Sequence, residues 1–267
     1  MRVHAWIRAK NEAAIIGYTV RYLLEAGVDR VFVLDTGSED GTADVAKSAG
    51  AETLTLRLSF YHEPLERMIA LSIARLGEPD IIVQLDADEY IEGPLLEALK
   101  ETLAQRQKHT WTIRLYDFRF CEEHPEEAAI LAPLLPNRRW AEPFFRRIPR
   151  VYRPRPELQF LPFQPHHSAC VATEQRTLGH IEACVIRHYG LCRSAAEFEV
   201  KRQRYTVQHA GRAYSAEWQE AHCFIPQAHL REWPLDAPPP ADATEVHLGS
   251  NVAKRDLHDR SHIVGVY

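Results

Sequence analysis

Residues 31–50, VFVLDTGSEDGTADVAKSAG, read as one complete strand–loop–helix unit. Val31–Leu34 is a short apolar run without polar alternation, the pattern of a strand buried on both faces. Gly37, Ser38 and Gly41 mark a loop. Thr42–Ala49 has helical composition, with Asp40 as a candidate N-cap and Gly50 after its end. Outward from this unit the same grammar repeats. Val3–Ile7 reads as a strand and residues 12–26 as a helix, with Ile16, Val20, Leu23 and Leu24 at helical spacing and Gly27 as its stop. Residues 63–76 form a further helix, with Pro64 suited to its first turn. Ile81–Leu85 is a buried strand and residues 94–108 another helix. Apolar strands alternating with helices imply a mainly parallel, Rossmann-like α/β sheet with helices on both faces.

Composition agrees with that class. The chain has 267 residues, 45% hydrophobic and 26% charged, which excludes collagen-like, fully disordered and disulfide-scaffold readings. No apolar run approaches the roughly eighteen residues a membrane span needs. Arg2, Arg8 and Lys10 leave no secretory apolar core at the N-terminus. The five cysteines are odd in number and show no Cys-x-x-Cys spacing, so free thiols in a reducing cytoplasm are expected. The net charge of −5 argues against a general nucleic-acid binder.

In such sheets ligands collect at the carboxyl ends of the strands. Those ends read Arg8–Glu12, Asp35–Gly41 and Asp86–Glu89. LDADE at 85–89 places three carboxylates in four residues after a buried strand. Charges that cannot be buried alone usually coordinate a hard cation, and Asp86 and Asp88 in an Asp-x-Asp pair suit Mg²⁺ or Mn²⁺ carrying phosphate oxygens. The bland alternative is an N-capping cluster before the helix near Pro94. Asp35-Thr36-Gly37-Ser38 suits a nucleotide contact, with Asp35 accepting from a base or ribose while the glycines admit the backbone. An aspartic protease would need a second such loop in an all-β setting. A nucleotidylyltransferase would need a glycine-rich first loop, which RAKNEAAIIG at 8–17 lacks. A dehalogenase-like phosphatase wants Thr or Val where Tyr90 stands.

In that order and spacing, WIRAKNEAAIIGYTVRYLL, VLDTGSEDGTADVAKSAGA and IIVQLDADEYI resemble the nucleotide-binding half of family 2 glycosyltransferases over residues 1–95. The resemblance implies a GT-A fold, a nucleoside-diphosphate sugar donor (UDP expected) and Mn²⁺ or Mg²⁺. It implies donor contacts from Arg8, Asn11, Glu12, Asp35, Ser38, Arg67 and Asp86, with Asp86 on ribose or metal and Asp88 as direct metal ligand and catalytic residue. Thr36 stands where many members carry a second aspartate, which leaves the nucleobase open.

Residues 138–155 carry seven arginines against one acid, interleaved with Trp140, Phe144, Phe145 and Tyr152. Arg150, Arg147 and Trp140 are candidate contacts for an anionic acceptor or the donor diphosphate; a solvated strand is the alternative. Downstream, RIPRVYRP, QPHHSACV and IRHYGLCRSAAEFEVKRQRY are similar to the branch of lipopolysaccharide-core glucosyltransferase-like proteins. Arg150 and His188-Tyr189 match its pattern, while its His-Glu pair appears as His167-Ser168, so a carboxylate often proposed as the base is missing. Inversion needs a general base, for which Glu142, His167, Glu157 and Glu182 are candidates. His166, His167 or His188 could complete the metal shell, and His188 is favoured by its motif. Ser194 and Glu197 form a capping box opening a helix. Residues 121–143 read as irregular, a helix containing Trp218 follows Ser215, and PLDAPPPAD at 234–242 is extended.

The expected organisation is 1–110 for the nucleotide-sugar half, 111–213 for a less regular acceptor-side half and 214–267 for a C-terminal helix and tail. The expected protein is a cytoplasmic, inverting, metal-dependent glycosyltransferase acting on a glycan, lipid-linked or other small acceptor, with a peripheral place at the inner membrane face as a variant. A non-catalytic sugar-nucleotide sensor is the main rival.

Overall fold

Three apolar runs in the first ninety residues become the centre of a parallel sheet. In the computed structural model they are β1 (Val3–Ala9), β2 (Arg30–Asp35) and β4 (Ile81–Asp86), with β3 (Glu52–Thr55) beside β2. β1 pairs in parallel with both β2 and β4, and β2 with β3. The connecting helices are α1 (Ala13–Glu25), α2 (Thr42–Ser48) and α3 (Glu63–Ala74). The structure describes residues 1–57, 63–129, 138–156, 158, 178–193, 195–208 and 224–246.

Strand alternation assigns the two faces. Trp6, Phe32, Leu34 and Ile82 point to one side and pack with Ala70, Leu71 and Ala74 of α3. Ala5, Ile7, Val31, Val33, Val83 and Leu85 point to the other and are also buried. Both faces are therefore covered, which is why these strands carry no polar alternation. The mixed α/β class and its mainly parallel strands are those expected from sequence.

The chain then supplies β5 (Glu89–Glu92), α4 (Leu95–Ala104), β6 (Thr110–Phe118), β7 (Phe120–Cys121), β8 (Trp140–Tyr152) and β9 (Leu178–His188). They are followed by α5 (Ala195–Gln208), β10 (Phe224–Ile225), β11 (Arg231–Glu232) and β12 (Thr244–Glu245). The chain divides into two compact units, Met1–Arg114 with Ile148–Ile186, and Leu115–Arg147 with Arg187–Tyr267. Both are discontinuous, whereas the expected divisions at 110 and 213 are linear. In the first unit the sheet order is β3-β2-β1-β4-β8-β6-β9-β5, with β8 antiparallel to β4. In the second, β11 lies antiparallel and β12 parallel on β8, and β10 pairs with β7.

Some local expectations change. β3 is absent from the sequence reading because an edge strand with exposed side chains needs no apolar run. β5 begins where a loop is expected, and α4 ends at Ala104 rather than Lys108. β8 starts at Trp140, inside the stretch read as irregular. Gly41, not Asp40, is the N-cap of α2; Asp40 instead accepts from the backbone N–H groups of Thr42 and Ala13 at 3.0 Å each, serving two helix starts. Ser194 and the helix expected around Trp218 lie outside the described residues. Among the described residues no helix is long and apolar enough to cross a membrane. Cys121, Cys184 and Cys192 are buried thiols, and burial pushes Cys184 up to about 12.

Gly93 joins β5 to α4 at φ +118°, and a Cβ there would stand 2.5 Å from the Ala183 carbonyl oxygen of β9. Gly93→Ala is expected to cost roughly 2–5 kcal/mol, from the positive φ and from a backbone clash that no rotamer relieves. Thermal unfolding should drop by several degrees. An unchanged melting temperature would show that β9 yields freely there.

Candidate active site

The central strands terminate at one level. Arg8 of β1 is opposite Asp86 of β4 on one side, and Ala9 is opposite Asp35 of β2 on the other. Parallel pairing thus gathers Arg8, Asp35 and Asp86 at adjoining carboxyl ends, as the sequence reading requires.

On the Asp35 side the loops are stitched together. Asp35 is buried, and its Oδ1 accepts from the Ser38 backbone N–H at 3.0 Å and from the Ser38 hydroxyl. Ser38 Oγ accepts from the Asn11 N–H at 2.8 Å, and Asn11 Oδ1 from the Glu39 N–H at 3.0 Å. The Glu12 N–H donates to Thr42 Oγ1 at 2.8 Å. Asn11, Glu12, Asp35 and Ser38 therefore form one wall. Gly37 and Gly41 hold positive φ, so the loop turns without side chains between its backbone and a ligand. Thr36, in the position that departs from the family pattern, places its hydroxyl 3.2 Å from the Ala9 carbonyl.

On the Asp86 side the site is an array of buried charge. Asp86-Ala87-Asp88-Glu89 is a tight β4–β5 connection, held to α1 by the Thr19 hydroxyl on the Ala87 carbonyl at 2.9 Å. Glu89 accepts from the Asp86 N–H at 3.0 Å. Arg150 Nε donates to Glu89 Oε2 at 2.9 Å, and its Nη2 to Glu89 Oε1 and, at 3.1 Å, to Asp86 Oδ2. Arg8 bridges Glu66 at 2.9 Å and Glu63 at 3.2 Å, and buried Arg67 donates from Nε to Glu63 at 2.8 Å. Burial alone would raise the Asp86 carboxyl; Arg150, Arg67 and Arg8 outweigh it and hold it below the usual carboxylate range. Burial likewise opposes the Arg150 charge, and Glu89 with Asp86 overcomes it.

One atom in this array has no hydrogen-bond partner among the described residues. Asp86 Oδ1 is buried and makes no hydrogen bond. An ionised carboxylate oxygen left so costs several kcal/mol unless something positive or hydrogen-donating meets it. Asp88 is buried beside it in the chain. Asp86 and Asp88 are hard oxygen donors of the type that Mg²⁺ and Mn²⁺ take, so the residues present fit a divalent cation. Among the described residues no cluster of three or more metal-ligating side chains forms, so other coordination positions would fall to water or phosphate oxygens.

Three expectations change here. Arg150, expected on a bound phosphate, is committed to Glu89 and Asp86. Trp140, expected to offer its face to an acceptor, is buried with Cys121, Ile225 and Leu230 and stacks on His124. Glu142, a candidate base, is buried in the second unit, and its Oε1 already accepts from Arg119 Nε at 2.5 Å. Arg147 pairs with Glu245 at 3.4 Å. Glu182 is largely exposed beside Arg114. His166, His167 and Glu157 lie outside the described residues.

His188, the candidate metal ligand, places Nδ1 2.6 Å from Asp117 Oδ1 in the second unit. Asp117 also accepts from both Arg146 Nη atoms, and though burial opposes its charge, Arg146 and His188 keep it ionised well below the usual range. Asp117, Arg146, Glu63, Glu66 and Glu89 have no site role in the sequence reading. The available signal was a charged residue inside a buried strand, since TWTIRLYDF is buried at nearly every position.

No family model matches the chain. Among solved structures it is similar to mannosyl-3-phosphoglycerate synthase from Rubrobacter xylanophilus, at 25% identity over 45% of this chain and 41% of that one, with TM-score 0.36. It is also similar to glucosyl-3-phosphoglycerate synthase from Mycobacterium tuberculosis, at 18% identity over 87% of each chain and TM-score 0.47. The third is TarS from S. aureus, at 13% identity over 82% of this chain and 69% of that one, with TM-score 0.44. The chain thus spans less than half the length of the first of these.

Proposed function

We propose that the protein is a GT-A-type glycosyltransferase of the family 2 kind, moving a sugar from a nucleoside-diphosphate sugar to a small acceptor hydroxyl with inversion. The observation that carries this reading is the meeting of Asp35, Arg8 and Asp86 at the ends of three adjoining parallel strands, with a buried Asp86 oxygen that no group among the described residues satisfies. Asp35 and the Asn11–Ser38 wall take the nucleoside, with UDP the first candidate. Asp86 and Asp88 hold Mn²⁺ or Mg²⁺. When bound, the cation neutralises the charge that develops on the departing nucleoside diphosphate.

The chain's own residues do the positioning. Arg150 and Glu89 fix the turn that carries both aspartates, and the Asp35 wall sets how deep the nucleoside lies. A site held in place before the substrate arrives has little reorganisation left to do during reaction. The acceptor oxygen bonds to the anomeric carbon and gives up its proton to a general base, while the sugar–phosphate bond breaks and its electron pair leaves with the diphosphate.

The test is thermal unfolding with UDP, GDP, CDP, TDP or ADP, each with and without Mn²⁺. A ligand at about 100 times its dissociation constant should add roughly 2.7 kcal/mol, a rise of several degrees at roughly 2–4 °C per kcal/mol. A Mn²⁺-dependent rise with one diphosphate is expected. No rise with any of them would overturn the reading.

A further inference from the structure

Thr19 lies in the middle of α1 and is buried, a β-branched residue where a helix gains more from alanine or leucine. A threonine inside a helix commonly turns its hydroxyl back to the carbonyl one turn earlier. Here the hydroxyl reaches out of the helix and donates to the Ala87 carbonyl at 2.9 Å. Ala87 and Asp88 are the two residues between β4 and β5, and both are buried. The Ala87 carbonyl belongs to the peptide that leads into Asp88. Because a peptide is planar, fixing that oxygen fixes the plane from which the Asp88 side chain departs. The peptide that leads into Asp86 is held as well, its N–H donating to Glu89 Oε2 at 3.0 Å.

The helix that carries Thr19 is itself anchored at the nucleoside wall. The Glu12 N–H donates to Thr42 Oγ1 at 2.8 Å and the Ala13 N–H to Asp40 Oδ2 at 3.0 Å, so the start of α1 is tied to the loop that follows Asp35. One turn beyond Thr19, the Tyr22 hydroxyl donates to the Ile91 carbonyl of β5, and its ring lies 4.0 Å from that of Tyr90. All of these residues belong to the first unit. One helix thus runs from the Asp35 wall to the aspartate turn and is bonded to both.

We propose that Thr19 is a positioning residue: through its hydroxyl, α1 holds the Asp86–Asp88 turn in register with the Asp35 wall, so that a nucleoside diphosphate and its cation are met together. This rests on the reading of Asp86 and Asp88 as cation ligands and adds to it the group that aims the second of them.

The experiment is calorimetric titration of UDP into the full chain, once in EDTA and once in saturating Mn²⁺, beside the melting temperature of each unliganded protein. Thr19→Val keeps the shape and removes the hydroxyl, while Tyr22 still seats α1 on β5. It is expected to bind UDP in EDTA as the wild type does, because the wall is untouched. Of the affinity gained with Mn²⁺ it should lose roughly 10–100-fold. Thr19→Ser restores a hydroxyl and should recover most of that gain. Thr19→Ala, which favours the helix and adds no atoms, is the second variant and carries the same expectation as valine. A contact that only supports the fold would lower the melting temperature of Thr19→Val and leave the Mn²⁺ gain as it is. That result overturns the inference, as does a Thr19→Ser protein no better than Thr19→Val. A wild type whose UDP affinity Mn²⁺ does not raise overturns the metal-dependent reading, and the inference falls with it.

Discussion

Asp88→Asn is expected to abolish the Mn²⁺-dependent part of nucleotide binding and to lower transfer on the order of 10³-fold, the scale for removing one preorganised electrostatic contact at a developing charge. Asparagine is the right replacement because Asp88 is buried, where truncation to alanine would add a packing loss to the loss of charge. The asparagine keeps the shape and one acceptor oxygen, and replaces the negative charge and the second acceptor with an amide donor. Isothermal titration of UDP with and without Mn²⁺, beside the melting temperature of the free variant, separates the two effects. The expected result is an unliganded melting temperature near that of the wild type and no added stabilisation from Mn²⁺. A variant that keeps wild-type Mn²⁺-dependent affinity would remove Asp88 from the metal site.

The second large effect is on stability. Arg150→Ala removes the guanidinium that meets both Glu89 and Asp86, and Glu89 is 2% exposed. Breaking a buried pair by deleting one partner costs about 3–5 kcal/mol. For a chain of this size that is a fall of roughly 6–20 °C in melting temperature. Pairing the change with Glu89→Gln should recover a substantial share, because the penalty comes from the uncompensated charge and not from the missing contact itself.

The pH dependence has a definite sign. Asp86 has a folded pKa held below its unfolded value, so its contribution is present above about pH 4, the unfolded value, and is lost as pH falls through the folded one. The wild type should keep this contribution at pH 5–7 and lose it in stronger acid, while Arg150→Ala lacks most of it throughout. Equal acid sensitivity of the two proteins, with no drop in melting temperature at pH 7, would mean that Arg150 is solvated and loosely held.

These two predictions concern residues that sequence approaches from different sides. Asp88 is singled out by its neighbours: an apolar run followed at once by Asp-x-Asp, in a chain of alternating strands and helices, leaves few chemistries for the carboxylates. Arg150 is read as a phosphate contact because arginines crowd residues 138–155. A charge count cannot tell a guanidinium that faces a ligand from one that faces Glu89, since its partner lies sixty-one positions away in the chain. Trp140 fails for a related reason: an aromatic beside arginines suits a binding floor or a core equally well, and only the packing of Cys121, Ile225 and Leu230 around it decides.

What the sequence alone determined is therefore local in origin. Runs such as VFVLD and IIVQLD define β2 and β4 because both faces of a parallel strand are buried, and the polar residues that end them must then lie at the carboxyl edge. The short exposed strand β3 and the two-residue step from β4 into β5 leave no such periodic mark. Tertiary structure alone decided which charges compensate which: Arg150 with Glu89 and Asp86, Arg146 with Asp117, Arg119 with Glu142. The physical reason is that apolar burial is written into neighbouring residues, whereas a buried ion pair depends on two side chains meeting at about 3 Å across strands that only the folded sheet brings together.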